Sequence, residues 1–177
     1  VIYQYTIREA IDERFIKTID YAVEGVPKSE REKFQWILNN HEDARKKYKK
    51  VKPLTIIITQ KIDGCEKLTE KWINFLSEAR KISKKAAEEK VLIVTSSSKH
   101  EDNVKQKLPH VDEKRNPVEF IVSVSMLTEG WDVENVFQIV PHEERAFNSK
   151  LLIAQVLGRG LRIPRLYKGE QPVVTIF

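Results

Sequence analysis

Short runs of uninterrupted apolar residues limit most strongly what this chain can fold into. Residues 54–59 read LTIIIT, and residues 91–95 read VLIVT. Such runs are typical of strands that are buried on both faces, which occur almost only in parallel sheets covered by helices. Residues 118–124, 136–140 and 173–177 predict three further strands of the same kind.

Between these strands, apolar residues recur at helical spacing. From residue 63 to residue 82 one helix face is formed by Leu68, Trp72, Phe75, Leu76, Ala79 and Ile82. Ser29, followed three residues later by Glu32, forms a capping-box pattern that predicts another helix over residues 30–50. Alternating strands and helices predict an α/β fold with a mainly parallel sheet, in which ligands bind at the carboxyl ends of the strands.

Three other segments are less regular. Residues 1–7 are rich in β-branched and aromatic side chains and predict a short strand. Residues 10–19 fit either a turn of helix or an extended crossing, and residues 102–107 fit a short polar helix.

Composition bounds the class of protein. The 177 residues are 41% hydrophobic and 32% charged, which is typical of one globular core or of one domain with an extension. No apolar run approaches the roughly 20 residues of a membrane helix, and no signal peptide is visible. Cys65 is the single cysteine, so we expect no internal disulfide and a reducing, cytoplasmic location.

The predicted helix over residues 30–50 ends in a strongly basic stretch. Its cations are Arg45, Lys46, Lys47, Lys49, Lys50 and Lys52. They form either a solvated face near the negative end of the helix dipole or a track for nucleic-acid phosphates. The solvated face is favoured, because no aromatic residues alternate with these cations to stack on bases.

Residues 151–162, LLIAQVLGRGLR, carry the first chemical signal. The spacing of their apolar residues predicts a helix, and Gln155, Arg159 and Arg162 interrupt that pattern along one stripe. Gly158 and Gly160 weaken a helix, so we expect a site that needs close backbone approach. Two guanidiniums that project one way suit a polyanion such as a triphosphate. The alternative is an amphipathic helix end with arginines near its C-terminus.

A second signal follows the strand predicted over residues 118–124. Its loop contains Glu129, Gly130 and Asp132. Gly130 permits a tight turn or a close approach to a ligand, and the Asp132 carboxylate can accept a hydrogen bond from a ribose hydroxyl. The alternative is an Asx turn that ends the strand.

Together these segments resemble superfamily two helicases. Residues 155–162 resemble motif VI, Q-x-x-G-R-x-x-R, and residues 129–132 resemble motif V, E-G-x-D. Over residues 122–164 the sequence is similar to that of the Res subunit of type III restriction enzymes. The resemblance implies a C-terminal RecA-like (helicase C) domain with a three-layer fold. We divide the chain into a linker strand with a basic helical extension, 1–52, and the RecA-like domain, 53–177.

Roles for individual residues also follow from the resemblance. Arg159 and Arg162 are expected to act as arginine fingers, and Gln155 to couple closure to the nucleotide or its attacking water. The expected nucleotide contacts are Glu129, Gly130, Asp132 and Gly158. The expected contacts with the nucleic-acid backbone are Ser96, Ser97, Ser123 and Ser125.

The sequence contains no G-x-x-x-x-G-K-[ST] phosphate loop and no D-E-x-H-like magnesium box. We therefore expect ATP and Mg²⁺ to be held mainly by a first motor domain in a longer protein, and this chain alone to be inactive. The four histidines and Cys65 are scattered, so no zinc site is expected. The resemblance implies as partners DNA, the N-terminal RecA-like domain of the same protein and a modification (methyltransferase) subunit.

A non-catalytic alternative remains open. A nucleic-acid-binding or interaction module with a degenerate helicase fold would keep the sheet but would not couple ATP hydrolysis to movement. The complete Q-x-x-G-R-x-x-R argues against it, because a degenerate copy would be free to lose an arginine. The net charge of +5 permits a polyanionic partner, and we expect weak, salt-sensitive nucleic-acid binding without sequence preference.

Overall fold

The computed structural model describes residues 6–22, 25–124, 132–142 and 160–177. Its strands are β1 (Thr18–Tyr21), β2 (Leu54–Thr59), β3 (Val91–Val94), β4 (Phe120–Val124), β5 (Val136–Pro141) and β6 (Val173–Ile176). They form one six-stranded sheet in the order β1-β6-β5-β2-β4-β3, and each neighbouring pair is parallel. The expected α/β class with a parallel sheet is confirmed, and it is consistent with a RecA-like three-layer fold.

The α-helices of the described residues are α1 (Ile7–Asp12), α2 (Glu30–Lys47), α3 (Ile62–Arg80) and α4 (Lys84–Glu88). Short turns of 3₁₀ and π helix lie between residues 98 and 110 and replace the predicted polar helix over residues 102–107.

Each face of the sheet is covered by apolar side chains. On one face, Ile57, Phe120, Val122 and Val140 pack with α2 and α3, where Phe34 and Trp72 meet edge to face with ring centroids 5.1 Å apart. The opposite face buries Leu54, Ile56, Ile58, Leu92, Val94, Ile121 and Ile139, together with Leu108, Val111 and Leu161. Strands buried on both sides explain why LTIIIT carries no polar face.

Residues before position 53 belong to the same sheet and core. β1 pairs with β6 at one edge of the sheet, and α2 buries Phe34, Ile37 and Leu38 against the sheet face that α3 also covers. The boundary expected at residue 52 therefore does not separate two cores.

Two local predictions at the amino end differ from the structure. Residues 1–5 of the strand predicted over residues 1–7 lie outside the described residues. Ile7 begins α1, because the side chains and backbone of Thr6 and Glu9 form a complete capping box. At α2 the box is half formed: Ser29 accepts a hydrogen bond from the Glu32 N–H, whereas the Glu32 carboxylate accepts one from the Lys28 N–H.

A buried carboxylate joins the helices to the amino end of the sheet. Glu119 precedes β4 and accepts hydrogen bonds from four cationic or imidazole groups, which we call the Glu119 cluster. The donors are His41 Nε2 (3.2 Å), Arg45 Nη1 (3.2 Å), Arg80 Nη2 (2.8 Å) and Lys90 Nζ (2.8 Å). These hydrogen bonds hold the pKa of Glu119 well below its usual range despite burial, which acts in the opposite direction.

Candidate functional site

The two segments that resemble helicase motifs meet at a surface ion pair. Arg162 Nη1 donates a hydrogen bond to Asp132 Oδ1, across thirty positions of sequence. The two side chains are 49% and 53% exposed, so each keeps polar atoms in contact with solvent. Among the predicted site residues that the structure describes, Asp132 and Arg162 are brought into direct contact.

The backbone around Arg162 is tied to the segment before β1. Ile16 and Arg162 form an antiparallel bridge, and the Lys17 N–H donates to the Leu161 carbonyl with a nitrogen-to-oxygen distance of 2.7 Å. The Leu161 side chain is buried in the core below. The Arg162 side chain is thus carried outward by a fixed stretch of backbone.

The other half of the pair is placed by the start of β5. Val133 is buried, and the Asp112 carboxylate accepts hydrogen bonds from the N–H groups of Glu134 (2.8 Å) and Asn135 (3.0 Å). These bonds fix the backbone two and three residues after Asp132 and so help to place the aspartate in the site.

Lys17 lies beneath the ion pair and is fully buried. Its Nζ donates to the Glu134 carbonyl at 2.8 Å and to the Gly160 carbonyl at 2.9 Å, and it lies 4.8 Å from the centroid of the Phe137 ring. Burial lowers the pKa of Lys17 from 10.5 to about 7, although the nearby acids Asp112 and Glu134 act in the opposite direction.

Gly160 is explained by packing against the sheet. A Cβ at this position would lie 2.7 Å from Ile139 Cδ1 and 3.6 Å from Val136 Cγ1. A side chain at position 160 would therefore require the end of the Ile139 side chain to move. For Gly160, the close approach expected from sequence is to the sheet rather than to a ligand.

The ion pair lies at the amino ends of the strands, which corrects the expectation that Asp132 stands just past the carboxyl end of a strand. Leu54, the first residue of β2, donates its N–H to the Asn135 carbonyl, and Arg162 bridges Ile16, two positions before β1. Because the strands are parallel, the starts of β1, β2 and β5 lie at one edge.

Ser96 and Ser97 lie at the other ends of the strands, the carboxyl ends, shortly after β3. With Thr95, Ser98, Glu101, Val104 and Lys105, they line an open cavity of about 380 Å³. Thr95 Oγ1 accepts from the Ser97 N–H and lies 2.7 Å from His100 Nδ1. The predicted nucleic-acid contacts at Ser96 and Ser97 thus occupy a surface distinct from the ion pair.

Ser123 does not lie on either surface. It stands within β4 beside Ile58 of β2 and Val94 of β3, and it has no exposed area. Its Oγ has no hydrogen-bond partner among the residues that the structure describes. A side chain enclosed by the sheet does not reach a phosphate in this conformation, and the contact of Ser123 with nucleic acid stays a prediction.

The remaining predicted site residues, Ser125, Glu129, Gly130, Gln155, Gly158 and Arg159, lie outside the described residues. Their roles stay predictions.

The basic end of α2 is partly used within the fold. Arg45 contacts Glu119, Lys46 pairs with Asp43, and Lys52 Nζ donates to two backbone carbonyls. Lys47 Nζ also lies 5.4 Å from the centroid of the Tyr48 ring, so four of the six cations contact groups of this chain. Whether any of them contacts nucleic acid stays a prediction.

Within residues 6–22, 25–124, 132–142 and 160–177, no cluster of three or more histidine, cysteine, aspartate or glutamate side chains could hold a metal ion. No helix in those same ranges is both long and apolar enough to cross a membrane.

Sequence reasoning missed Lys17, Asp112 and the Glu119 cluster. Glu119 interrupts the apolar run of residues 118–124, and such an interruption is a detectable sign of a buried charge. Lys17 follows Phe15 and Ile16 in an otherwise mixed segment, and nothing in that pattern signals burial. Comparison with known proteins finds no family model and no curated protein that matches this chain.

Proposed function

We propose that this chain is the second motor domain of an ATP-dependent DNA helicase or translocase, similar to the Res subunit of type III restriction enzymes. The observation that carries the proposal is the exposed Arg162–Asp132 ion pair at one edge of a six-stranded parallel sheet. Its two members come from the two segments that resemble helicase motifs V and VI.

The exposure of this pair favours a role beyond stability. Ion pairs between exposed side chains contribute about 0–1 kcal/mol, so little folding energy depends on Arg162 or Asp132. A guanidinium has five N–H donors, and the one hydrogen bond to Asp132 Oδ1 leaves others for phosphate oxygens. The carboxylate meanwhile restricts the orientation of the arginine, which prepares a planar donor for an anion.

In this proposal the first motor domain holds ATP and Mg²⁺, and this domain closes over them. Arg162, together with Arg159, stabilises the charge that develops during phosphoryl transfer, and Gln155 contacts the nucleotide or its water. Asp132 has a second carboxylate oxygen that can accept a hydrogen bond from the ribose.

DNA would be contacted at the opposite edge of the sheet. Ser96 and Ser97 offer hydroxyl groups beside an open cavity, where the positive charge of Lys105 is paired with the Glu101 carboxylate. Hydroxyl and backbone N–H groups contact phosphates without reading sequence. Separate surfaces would let the domain hold nucleotide at one edge while it tracks a strand at the other. Such a protein would work in a bacterial or archaeal cytoplasm, with a methyltransferase subunit as a further partner.

The test is steady-state ATP hydrolysis by the full-length protein that contains this chain, with DNA at saturation. Arg162→Ala should lower kcat by about a thousandfold or more, because it removes charge that stabilises the transition state. Arg162→Lys should fail nearly as badly, since an ammonium cannot reproduce the planar fork.

Arg165→Ala is the matched control. Arg165 lies three residues further on and also pairs with a carboxylate, with its Nε 2.8 Å from Glu134 Oε1. It lies outside the resemblance to motif VI, so its loss should leave kcat within about twofold. Parental hydrolysis by a normally folded Arg162→Ala variant would show that Arg162 is not an arginine finger, whereas absence of hydrolysis by the parent would favour the non-catalytic module.

A further inference from the structure

A buried amine connects the two backbone segments that support the ion pair. Lys17 Nζ bridges the carbonyls of Glu134, two residues after Asp132, and Gly160, two residues before Arg162. The Lys17 N–H also donates to the Leu161 carbonyl between them. One residue thus contacts both segments, and it belongs to neither of the motif-like stretches.

We propose that Lys17 is a positioning residue, which fixes the separation between the Asp132 and Arg162 segments and so holds the guanidinium in place. The inference rests on the proposed function for its consequence in catalysis. Its geometric part concerns this chain alone and can be tested without ATP.

The donor count of the side chain fits this role in either protonation state. A neutral amine has two N–H bonds, and Lys17 Nζ has two carbonyl acceptors, at 2.8 and 2.9 Å. The pKa of about 7 means that loss of the proton is easy, yet both hydrogen bonds can persist after it. The bridge is therefore expected to hold on both sides of neutral pH.

Lys52 is a matched control in the same molecule. Its Nζ also donates to two backbone carbonyls, those of Asn116 at 3.0 Å and Val118 at 2.8 Å. Burial lowers its pKa as well, to about 8. Neither of its carbonyl partners belongs to the segments that carry Asp132 and Arg162, so Lys52→Met reports the general cost of losing a buried lysine bridge.

The first measurement is hydrogen–deuterium exchange in Lys17→Met and Lys52→Met. In Lys17→Met, amides of residues 134–136 and 160–162 should exchange about tenfold faster, because two bonds to buried carbonyls are lost. In Lys52→Met, faster exchange should centre on residues 116–118. If Lys17→Met does not fold, Lys17→Gln keeps two N–H donors on a shorter side chain and should show a smaller increase at the same segments. Unchanged exchange at residues 160–162 in the folded variant overturns the proposal.

The second measurement separates positioning from the proposed function. In the full-length protein, Lys17→Met should lower kcat about tenfold with KM changed less than about threefold, because the arginine is displaced rather than removed. Lys52→Met should leave both constants near parental values. If Arg162→Ala loses activity while Lys17→Met matches Lys52→Met, the positioning role is wrong and the motor proposal stands. If Arg162→Ala keeps full activity, the arginine-finger assignment is wrong and the motor proposal loses its main support, and faster exchange at residues 160–162 in Lys17→Met would still support the structural bridge.

Discussion

Two arginine–carboxylate pairs stand in contrasting surroundings in this domain. Arg80 and Glu119 are 15% and 7% exposed, and their hydrogen bond is 2.8 Å long. Arg162 and Asp132 are 49% and 53% exposed. Glu119 is further enclosed by His41, Arg45 and Lys90, whereas the second pair faces solvent.

The difference separates charge that serves the fold from charge that is available to a ligand. A buried carboxylate without partners is very costly, so each donor in the Glu119 cluster is needed once the acid is in place. An exposed pair costs and contributes little, and its members can exchange partners with a phosphate or a sugar. The same side-chain chemistry therefore predicts opposite results for truncation in the two places.

The largest effect on stability is expected at the buried pair. Arg80→Ala leaves Glu119 without its shortest arginine contact, and Glu119→Ala removes the carboxylate that Arg80 and Lys90 contact, although Arg80 keeps its pairing with Glu42. Each should lower the free energy of unfolding by about 3–5 kcal/mol. Urea denaturation followed by circular dichroism measures this loss, and a change below about 1 kcal/mol would show that the cluster is not structural.

The lowered pKa of Lys17 predicts how the free energy of unfolding depends on pH. Its pKa falls from 10.5 to about 7 on folding, so between these values the unfolded chain binds more protons than the folded one. Stability should therefore rise as pH increases from about 7 to about 10.5, with a share from Lys17 of at most about 1.4 kcal/mol per pH unit. Denaturation of the parent and of Lys17→Met across this window gives the share as a difference in slope, and identical slopes would contradict it.

Gly160 should show a smaller effect. The Cβ of Gly160→Ala would meet Ile139 Cδ1 at 2.7 Å, which should cost about 1 kcal/mol in stability. Ile139→Val removes that methyl group, so the double variant should lose less than the sum of the two single variants. Additive losses in thermal melts would mean that the close approach is not what the glycine provides.

The smallest effect on stability is expected at the exposed pair. Arg162→Ala and Asp132→Ala should each change the free energy of unfolding by about 1 kcal/mol or less. Thermal melts of these two variants should be compared with the melt of Arg80→Ala. A loss at Arg162 as large as at Arg80 would remove the distinction between the two pairs.

Much of the fold was accessible from sequence because the central strands are buried on both faces. The run LTIIIT matches β2 from Leu54 to Thr59, and the predicted strand at residues 91–95 matches β3 to within one residue. β1 was not identified as a strand, since TIDY is short, partly polar and held at a sheet edge by its pairing with β6. Tertiary pairing of this kind leaves no local pattern.

The candidate site was predictable in part. Spacing and resemblance singled out Asp132 and Arg162, but their contact depends on a backbone path that no local pattern encodes. Asp132 was expected just past the carboxyl end of a strand, but it lies at the amino ends of the strands, shortly before β5. Ser123 was expected as a nucleic-acid contact from the resemblance, and strand alternation directs it into the core beside Ile58. Lys17 gave no signal, because its importance lies in two carbonyls more than a hundred positions away.

We propose that Arg162 is available to a developing phosphoryl transition state, whereas Arg80 stabilises the folded domain. Binding of ADP with aluminium fluoride, a mimic of that state, to the full-length protein tests it most directly. Arg162→Ala should weaken binding of the mimic by about a thousandfold and leave affinity for ADP alone nearly unchanged, since the arginine acts mainly in the transition state. Equal affinity of the parent and a normally folded Arg162→Ala variant for the mimic would contradict the account.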